Sequence, residues 1–367
     1  MKVLHICPGY LQRQLYDKLI SALQYNNVIN AVFALSTDNP SFKIENKYKL
    51  KILEKKFSII DRLIYFRKQY IIYRETCKEY SQHEFNVIHA HTLFSAGFST
   101  YLVHKKFKIP YIVSVRNTDI NVFFKYMFHL RGLGRIIINN AKNVIFLSPA
   151  YRDFVIQKFV SKKNRQIILN KSYVIPNGID EYFLKNKFTG QRKIDINFIK
   201  IIYVGELYPN KNPETTIKVC ELLLKKGYNV KFTIVGEILN RRYHEIISKH
   251  SFIEYYPKCP KEELVSHLRA SDILVMPSIR ETFGLVYAEA MSQGLPVIYS
   301  IKQGFEGHFE NGVVGYAVKS FDYRDISQKI IDLYNNYELF SERCVSLVDR
   351  FDWKTIAEQY AKMYGKE

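Results

Sequence analysis

The sequence predicts an α/β protein made of two doubly wound, Rossmann-like domains. Short apolar segments of strand length alternate with stretches of helical periodicity over most of the 367 residues. The alternation falls into two sets with a polar stretch, 184–197, between them, and a chain of this length can bury two cores. We therefore expect an N-terminal domain over 1–184, joined by a C-terminal helix over 352–367, and a second domain over 185–351.

The predicted strands are apolar runs bounded by turn residues. They comprise 3–7, 31–35, 87–91, 111–115, 144–148 and 173–175 in the first domain, and 201–204, 230–235, 252–256, 273–276 and 297–300 in the second. In the tail, Trp353, Ile356, Tyr360 and Met363 recur at helical spacing, which predicts the final helix. We interpret Trp353, the sole tryptophan, as a packing anchor.

Composition narrows the function classes. Five cysteines without C-x-x-C spacing indicate a reducing compartment and argue against a zinc site or a disulfide framework. No apolar run approaches the roughly 20 residues that span a bilayer, and the N-terminus shows no secretory signal. A cytoplasmic protein is expected. The net charge of +19 suits an anionic membrane or phosphorylated substrates, and without a nucleic-acid motif we expect no nucleic-acid partner.

One segment combines this basic charge with amphipathic spacing. Residues 43–68 contain nine Lys or Arg against three acidic residues, interleaved with apolar side chains. A basic amphipathic helix there would suit peripheral contact with an anionic membrane surface. The alternative is an ordinary surface helix of a basic protein.

The most informative segment is 278–298, which reads SIRETFGLVYAEAMSQGLPVI. Glu281 and Glu289 stand eight positions apart, and the apolar residues of 282–291 fall at helical spacing before Gly-Leu-Pro ends the helix. The free backbone N–H groups at the start of a helix can bind a phosphate. Here these are the N–H groups of Phe283, Gly284, Leu285 and Val286. The alternative is a capped core helix with two solvated carboxylates.

This segment resembles the E-x7-E signature of the retaining glycosyltransferases of family 4 (glycosyl transferases group 1), which have the GT-B fold. Further similar motifs are I-P-N-G-I-D at 175–180 and A-S-D before the strand at 273–276. The resemblance implies two Rossmann-like domains facing a central cleft, with the tail helix crossing back to the N-terminal domain. It also implies that Glu281 contacts the transferred sugar and that Glu289 binds the nucleotide ribose.

The strand at 201–204 runs into a loop that resembles the V-G-R-x4-K loop of the family. Its Gly205 and Lys211 match, and Lys211 would neutralise the donor diphosphate, the alternative being a solvated loop lysine. Glu206 replaces the arginine, so a cation elsewhere would have to substitute for it. The candidates are Arg280, Arg241 and Arg242, and Thr282 completes the predicted donor-binding residues.

The predicted acceptor-binding residues follow strands of the N-terminal domain. Gly9 and Tyr10 follow the first strand, where the family uses a glycine-rich loop. His91 ends another strand and has a structural histidine as its alternative; with His89 alone beside it, no third metal ligand is in view. Arg116 and Asn117 replace the His-Gly of the family. Arg116 stays protonated and would bind an anionic group, and Asp119 would orient an acceptor hydroxyl.

The sequence therefore predicts a retaining, metal-independent glycosyltransferase that moves a sugar from a nucleotide-diphosphate donor to a saccharide or lipid-linked saccharide. No Asp-x-Asp ends a strand to hold a cation, and no cofactor is expected. Catalytic roles fall to Glu281, Lys211, Arg116, Asp119 and His91. Two alternatives are a non-catalytic GT-B partner subunit, favoured by Glu206 and Arg116, and a nucleotide-sugar epimerase.

Overall fold

The computed structural model of the protein describes residues 1–36, 42, 49–53, 64–80 and 85–365. The chain forms two compact units. Unit 1 comprises Met1–Leu147, Tyr151–Gly178 and Trp353–Glu367, and unit 2 comprises Ser148–Ala150 and Ile179–Asp352. The tail therefore returns to the N-terminal unit, as predicted.

Unit 1 is built on a seven-stranded sheet. Its strands are β1 Lys2–Ile6, β2 Ile29–Leu35, β3 Lys49–Leu53, β4 Val87–Ala90, β5 Tyr111–Val115, β6 Asn143–Phe146 and β7 Ser172–Val174. They are all parallel, in the order β3-β2-β1-β4-β5-β6-β7. The central strands are mostly apolar and almost wholly buried, because a parallel sheet is covered by helices on both faces.

The helices of unit 1 alternate with these strands. The α-helices are Gln14–Gln24, Tyr65–Glu79, Gly97–Phe107, Arg131–Asn140, Pro149–Phe159, Arg165–Asn170 and Trp353–Gly365. A π-helical segment occupies Asp119–Phe124, and short 3-10 turns occupy Tyr10–Gln12, Phe128–Leu130 and Lys162–Asn164. The first and last α-helices pack together, with Leu19 and Leu23 sharing a buried cluster with Ile356 and Tyr360.

Trp353 is a core residue of unit 1, and a glycine makes room for it. The indole is 9% exposed and packs in the same cluster as the first helix. A Cβ atom added at Gly178 would lie 2.6 Å from the indole ring. The Asn-Gly pair of the I-P-N-G-I-D motif therefore lets the chain pass directly against the tryptophan.

We expect Gly178→Ala to destabilise unit 1 by about 1–3 kcal/mol, because the added methyl group overpacks the indole contact. The protein has one tryptophan, so urea unfolding followed by its fluorescence reports on this unit. Gly132→Ala is the matched control: Gly132 is exposed in the helix Arg131–Asn140, and its Cβ would meet no atom within 4 Å. The control should be neutral or slightly stabilising. An unchanged midpoint for Gly178→Ala would contradict the close packing.

Unit 2 is built on a six-stranded sheet. Its strands are β8 Phe198–Val204, β9 Asn229–Val235, β10 Ile253–Tyr256, β11 Ile273–Met276, β12 Val297–Ser300 and β13 Gly315–Val318, all parallel in the order β10-β9-β8-β11-β12-β13. Its α-helices are Glu181–Lys185, Pro213–Lys225, Arg242–Ser248, Lys261–Arg269, Leu285–Ser292, Tyr323–Tyr334 and Tyr337–Leu347, with 3-10 turns at Pro209–Lys211 and Val348–Phe351.

The division between the units falls at Gly178 and Ile179, six residues before the expected boundary. Asp180 caps the helix Glu181–Lys185, and Phe183 is buried in the core of unit 2. The polar stretch 184–197 is also not a solvated linker. Arg192 is buried within unit 2, where its guanidinium donates to the carbonyl groups of Arg269, Ser271 and Gln293. The Arg192 guanidinium therefore supplies hydrogen bonds to carbonyl oxygens within unit 2.

Part of the basic segment 43–68 forms a strand and not the predicted amphipathic helix. Residues 43–48 and 54–63 lie outside the described residues. Lys49–Leu53 is strand β3, because its Lys-Leu-Lys-Ile-Leu alternation has the two-residue period of a strand and pairs in parallel with β2. The predicted amphipathic helix is therefore wrong at 49–53. No helix in the described ranges has the length and apolar character needed to cross a membrane.

In both sheets the sequential order of the parallel strands reverses at the centre, between β1 and β4 in unit 1 and between β8 and β11 in unit 2. Ligands of open parallel sheets bind beyond the carboxyl ends of strands at such a switch point. Gly9 and His91 follow β1 and β4, and Gly205 and Arg280 follow β8 and β11. Each sheet thus collects its own candidate residues at its carboxyl edge.

Candidate active site

Lys211 and Glu281 form an ion pair at the carboxyl edge of the unit 2 sheet. Lys211 Nζ lies 2.5 Å from Glu281 Oε2, and the two side chains are 19% and 12% exposed. Lys211 belongs to the loop after β8, and Glu281 belongs to the loop after β11. The two residues meet although 70 positions separate them, because β8 and β11 are neighbours in the sheet.

Asn212 holds the Lys211 loop in place. It has a left-handed backbone conformation, with φ of +56°. Its side-chain amide donates to the carbonyl oxygens of Pro277 at 2.9 Å and Ser320 at 2.6 Å, and its oxygen accepts from the Thr215 hydroxyl at 2.9 Å. The helix Pro213–Lys225 begins immediately afterwards. The position of the lysine is therefore set by buried hydrogen bonds to the loops that follow β11 and β13.

The backbone of Glu281 is fixed on both sides. Its N–H donates to Gln303 Oε1 at 3.0 Å, and its carbonyl oxygen accepts from the Gly304 N–H at 2.7 Å. A Cβ at Gly304 would lie 1.8 Å from the carbonyl oxygen of Thr282, so this approach requires glycine. Glu281 Oε1 accepts from the Thr282 N–H at 3.0 Å. The carboxylate is thus oriented while lone pairs on both oxygens remain for a ligand.

The helix predicted from 282 begins later, at Leu285, so Glu281 and Thr282 lie in the preceding loop. Gly284 is its N-cap residue, with φ of +71° and the ring of Tyr287 packed against it. The helix has no side-chain cap, which leaves N–H groups of Leu285 and Val286 without a capping acceptor. The Phe283 side chain is buried among Phe305, His308 and Phe351, so only its backbone can contact a ligand.

Glu289 lies on the helix Leu285–Ser292 and is unusually easy to protonate. Burial, and then the negative charge of Asp180, raise the pKa of its carboxyl group to about 7. Asp180 is held in place by the Tyr182 N–H and by Lys261 Nζ, at 2.9 and 3.0 Å. No hydrogen bond reaches the Glu289 carboxylate from the described residues. Its oxygens are therefore open to hydroxyl donors from a ligand.

Glu206, which stands in the place of the family arginine, is exposed. In the described ranges no cation lies within ion-pair distance of it. Of the proposed substitutes, Arg242 pairs with Glu214 and is engaged, whereas Arg241 and Arg280 are exposed. The Gly205 backbone, with φ of +151°, passes so close to Gly236 that a Cβ on the latter would lie 1.9 Å from the Gly205 carbonyl oxygen. Gly205 therefore shapes the loop.

Three histidines are buried together at the centre of the unit 1 sheet. His5 on β1 stands opposite His89 on β4, and His91 follows the same strand. Ring nitrogens of the three lie within 4.8 Å of one another, so His5 supplies the third imidazole that the sequence did not reveal. Both nitrogens of His5 and both of His89 already take part in hydrogen bonds. In this form the cluster is a hydrogen-bonded network rather than an open ligand set.

A second group in unit 2, Cys259, Glu263 and His267, also brings one ligand atom from each residue within 4.8 Å. Glu263 is exposed, and the other two are half-buried. Burial raises the pKa of the Cys259 thiol, which favours the protonated form that binds metals poorly. We therefore assign this group no role.

Arg116 is buried and its position is well defined. Its Nε donates to the His91 carbonyl oxygen at 3.3 Å, its Nη1 donates to Asn177 Oδ1 at 2.8 Å, and the guanidinium lies 5.7 Å from the centre of the Tyr16 ring. Its Nη2 is buried and makes no hydrogen bond of normal geometry in the described part of the chain, although the guanidinium lies close enough to the Tyr360 hydroxyl to lower the pKa of that group against the opposing effect of burial. The guanidinium of Arg116 is therefore held in place by its other nitrogens, and Nη2 can still donate to a ligand.

Asp119 does not face an acceptor hydroxyl as predicted. It is 1% exposed, and its carboxylate accepts the backbone N–H groups of Leu93, Phe94 and Arg116 at 2.8–3.0 Å. Burial raises its pKa to about 6 against the opposing effect of these hydrogen bonds. The carboxylate therefore joins the loops after β4 and β5 and positions Arg116.

The remaining acceptor candidates differ in burial and in hydrogen-bond partners. Tyr10 is fully buried in a cluster with Cys7 and donates its hydroxyl to Asp17 at 2.6 Å, so the prediction that it binds the acceptor is not supported by its placement. Gly9 is half-buried, and Asn117 is exposed with its side chain bonded to Asn121. Of the predicted set, Arg116 contacts both His91, through its side chain, and Asp119, through its backbone N–H.

Comparison with known proteins identifies the family. The family model for Glycosyltransferase Family 4 matches residues 19–182, and the model for Glycosyl transferases group 1 matches residues 185–346. The two models together cover every strand of both sheets except β1. The chain belongs to family 4 of the GT-B glycosyltransferases.

Relatives of this family 4 glycosyltransferase are distant in sequence. An uncharacterized glycosyltransferase of Methanocaldococcus jannaschii is 26% identical over 285 residues, which span 76% of this chain and 75% of that protein. The capsular polysaccharide biosynthesis glycosyltransferase CapM of Staphylococcus aureus is 27% identical over 230 residues, 59% of this chain and 58% of CapM. The match thus spans little more than half of CapM.

Solved structures confirm the predicted GT-B fold. Anabaena Alr3699/HepE, in complex with UDP and glucose, superimposes with a TM-score of 0.69 at 18% identity, over 99% of this chain and 98% of that one. At this identity the likeness establishes the fold alone. The predicted family and glycosyltransferase activity are confirmed, and the roles of individual site residues stay predictions.

Sequence reasoning missed several residues of this glycosyltransferase. His5 could have been found by pairing the first strand with the strand that carries His89 and His91, since both were predicted. Asn212 and Gln303 lie in loops, and no local pattern announces their contacts with residues 65 and 22 positions away. In chemical terms, unit 2 presents a lysine, a carboxylate and a helix start. Unit 1 presents an imidazole and a guanidinium.

Proposed function

We propose that this family 4 glycosyltransferase moves a hexosyl group from a nucleotide-diphosphate sugar to a hydroxyl of a saccharide or lipid-linked saccharide. The transfer retains anomeric configuration and uses no metal ion. The setting is bacterial surface polysaccharide or lipid-linked oligosaccharide synthesis on the cytoplasmic side. The basic charge of residues 43–68, without the helix predicted at 49–53, supports peripheral contact with an anionic membrane surface. The observation that carries the proposal is the Lys211–Glu281 pair.

The pair matches the two halves of the donor. Lys211 has three N–H donors, of which one is directed to Glu281, so the others are available to diphosphate oxygens. A fixed cation there stabilises the charge that develops on the leaving phosphate. The Glu281 carboxylate, oriented by the Thr282 N–H, accepts hydrogen bonds from sugar hydroxyls. The charges partly neutralise each other until the anionic donor binds.

The helix start and Glu289 extend the site. The uncapped N–H groups of Leu285 and Val286 supplement Lys211 at the diphosphate. The Glu289 carboxylate, which lacks a hydrogen-bond donor in the described ranges, accepts from the ribose hydroxyls. HepE, a GT-B protein of the same fold, was solved with UDP and glucose, which supports a nucleotide-sugar donor. CapM, named for capsular polysaccharide biosynthesis, supports the polysaccharide setting.

The proposal is tested by screening nucleotide sugars for thermal stabilisation and then following release of the nucleotide diphosphate with candidate acceptors. A ligand at 100 times its dissociation constant adds about 2.7 kcal/mol to the free energy of unfolding. Turnover should persist in a chelator, and NMR of the product should show the donor's anomeric configuration. Loss of turnover in the chelator would contradict metal independence. Interconversion of the nucleotide sugar without acceptor would indicate an epimerase instead.

A second candidate is a non-catalytic partner subunit, and Glu206 is the observation that favours it. An exposed carboxylate stands where the family places a diphosphate-binding arginine, and no cation neutralises it in the described part of the chain. Glu206→Arg separates the two functions. If the native protein binds no nucleotide sugar and the variant does, the partner-subunit function is supported and the transferase proposal fails.

A further inference from the structure

A directed chain of buried hydrogen bonds leads from Asn30 to His91. The Asn30 amide nitrogen donates to the carbonyl oxygens of Ile20 and Val28, at 3.3 and 3.1 Å. Its Oδ1 therefore faces His5 Nε2, at 2.9 Å. A carboxamide oxygen only accepts hydrogen bonds. His5 Nε2 must therefore carry a proton and donate it to Asn30.

The proton on His5 Nε2 determines the state of His91. Burial lowers the pKa of His5 to about 4 and lowers that of His91 as well, so both rings are neutral at pH 7. A neutral imidazole has one proton, so His5 Nδ1 is an acceptor. It lies 2.9 Å from His91 Nε2, which must donate. The proton of His91 is therefore on Nε2, and its Nδ1 is a bare acceptor.

This bare nitrogen has no partner in the described part of the chain. His91 Nδ1 is buried and accepts no hydrogen bond there, while the His89 ring stacks on it at 4.0 Å and Tyr16 meets it edge-on at 5.2 Å. Arg116 is hydrogen-bonded to the His91 carbonyl oxygen and leaves its Nη2 unpaired. A free acceptor and a free donor thus occur on two residues in contact. A hydroxyl group, which both donates and accepts, satisfies such a combination.

We propose that Asn30 and His5 are positioning residues that hold His91 in the tautomer with a bare Nδ1, so that His91 accepts a hydrogen bond from a hydroxyl of the saccharide substrate. Arg116 Nη2 donates to the same ligand. The saccharide identity of the ligand rests on the proposed function. His91 directly follows β4 at the switch point of the sheet, which is where such a ligand binds in this fold.

His89 does not take part. Its Nδ1 is paired with the Tyr364 hydroxyl at 2.7 Å, and its Nε2 is paired with the Ser114 hydroxyl at 2.8 Å. It contributes a stacked ring and no hydrogen bond to His91. A variant at His89 therefore disturbs the same buried cluster without touching the proton chain, which makes it a suitable control.

Two variants at His5 test the proposal. His5→Gln retains one acceptor and one donor, because its oxygen can accept from His91 and its nitrogen can donate to Asn30. His5→Phe fills the space and removes both. We expect His5→Gln to keep near-native turnover, and His5→Phe to lower kcat/KM for the saccharide acceptor about tenfold, the usual effect of one lost hydrogen bond. The dissociation constant of the nucleotide sugar should change in neither.

Nitrogen-15 NMR of histidine-labelled protein reads the tautomer directly and needs no substrate. The native protein, His5→Gln and the control His89→Phe should all show His91 protonated on Nε2, and His5→Phe should show a mixture or the opposite tautomer. A native His91 protonated on Nδ1 overturns the proposal, as does equal acceptor kcat/KM in His5→Phe and His5→Gln. If the NMR result is as expected but no sugar is transferred, the proposed function fails and the proton chain stands.

Discussion

Glu289→Gln is expected to stabilise the protein at pH 8 while weakening donor binding. The folded carboxyl has a pKa of about 7 against an ordinary value of 4.5. Between these values the unfolded chain has released the proton that the folded protein keeps, so stability falls as the pH rises from about 4.5 to 7. Glutamine is neutral at every pH and avoids this loss. The variant should match the native protein near pH 4.5 and exceed it at pH 8 by up to about 3 kcal/mol.

Urea unfolding followed by circular dichroism across this pH range measures the difference. Glu342→Gln is the matched control, because Glu342 is an exposed residue of a helix in the same unit, and its curve should run parallel to the native one. A Glu289→Gln protein that is less stable at pH 8 would mean that the carboxylate is an ionised structural group. This would support the capped-helix alternative.

If Glu289 binds the ribose as proposed, the same carboxyl group should make donor affinity depend on pH. Ribose hydroxyls donate to the ionised form, so the group must lose its proton before it binds them. With a pKa of about 7, the dissociation constant of the nucleotide sugar should fall about tenfold from pH 6 to pH 8. Glu289→Gln should bind more weakly and show no such dependence. Native-like, pH-dependent binding by the variant would remove Glu289 from the donor site.

Lys211→Met is expected to lower turnover by about 10²–10³-fold. The variant keeps the length of the side chain and loses the cation that the proposed function assigns to the leaving phosphate, and the loss of one preformed electrostatic stabiliser has an effect of this size. It also leaves Glu281 without its partner at 12% exposure. The free energy of unfolding should therefore fall by about 1–3 kcal/mol, the cost of an unpaired polar group in such a site.

A double variant separates these two effects. In Lys211→Met/Glu281→Gln the unpaired charge is gone, so stability should return towards the native value while turnover stays low. Lys218→Met is the control, because Lys218 is an exposed residue of the helix Pro213–Lys225 and should change neither quantity. If Lys211→Met kept native turnover, the diphosphate role of the lysine would be wrong.

The residues that unit 2 contributes to the candidate site could largely be found from sequence, and their role in donor binding stays a prediction. Glu281, Glu289 and Lys211 occur in local motifs whose spacing is visible along the chain, and the strands that precede Lys211 and Glu281 are mostly apolar. Where the prediction missed, the local pattern was weak or misleading. Two of the five residues of strand β3 are lysines, and the helix expected from 282 starts only at Leu285, because the chain first turns through Gly284.

The acceptor half depended on contacts between strands that are distant in sequence. Asp119 and Tyr10 were predicted to contact the acceptor because they follow strands. Both are buried instead: the Asp119 carboxylate accepts hydrogen bonds from three backbone N–H groups, and the Tyr10 hydroxyl donates to Asp17. His5 gave no signal of its own. Its role arises from its place opposite His89, on a neighbouring strand.

The sequence by itself determined the family, the two α/β sheets and the motifs that contain Lys211, Glu281 and Glu289, because apolar periodicity and short motifs are local properties that can be recognised without coordinates. Only the tertiary structure decided which candidate side chains are free to bind. Each carboxylate or imidazole can form only a few hydrogen bonds. Whether these bonds are already made within the protein depends on neighbours that folding brings near. For that reason Asp119 becomes a positioning residue, and His91 is left with a bare nitrogen beside Arg116.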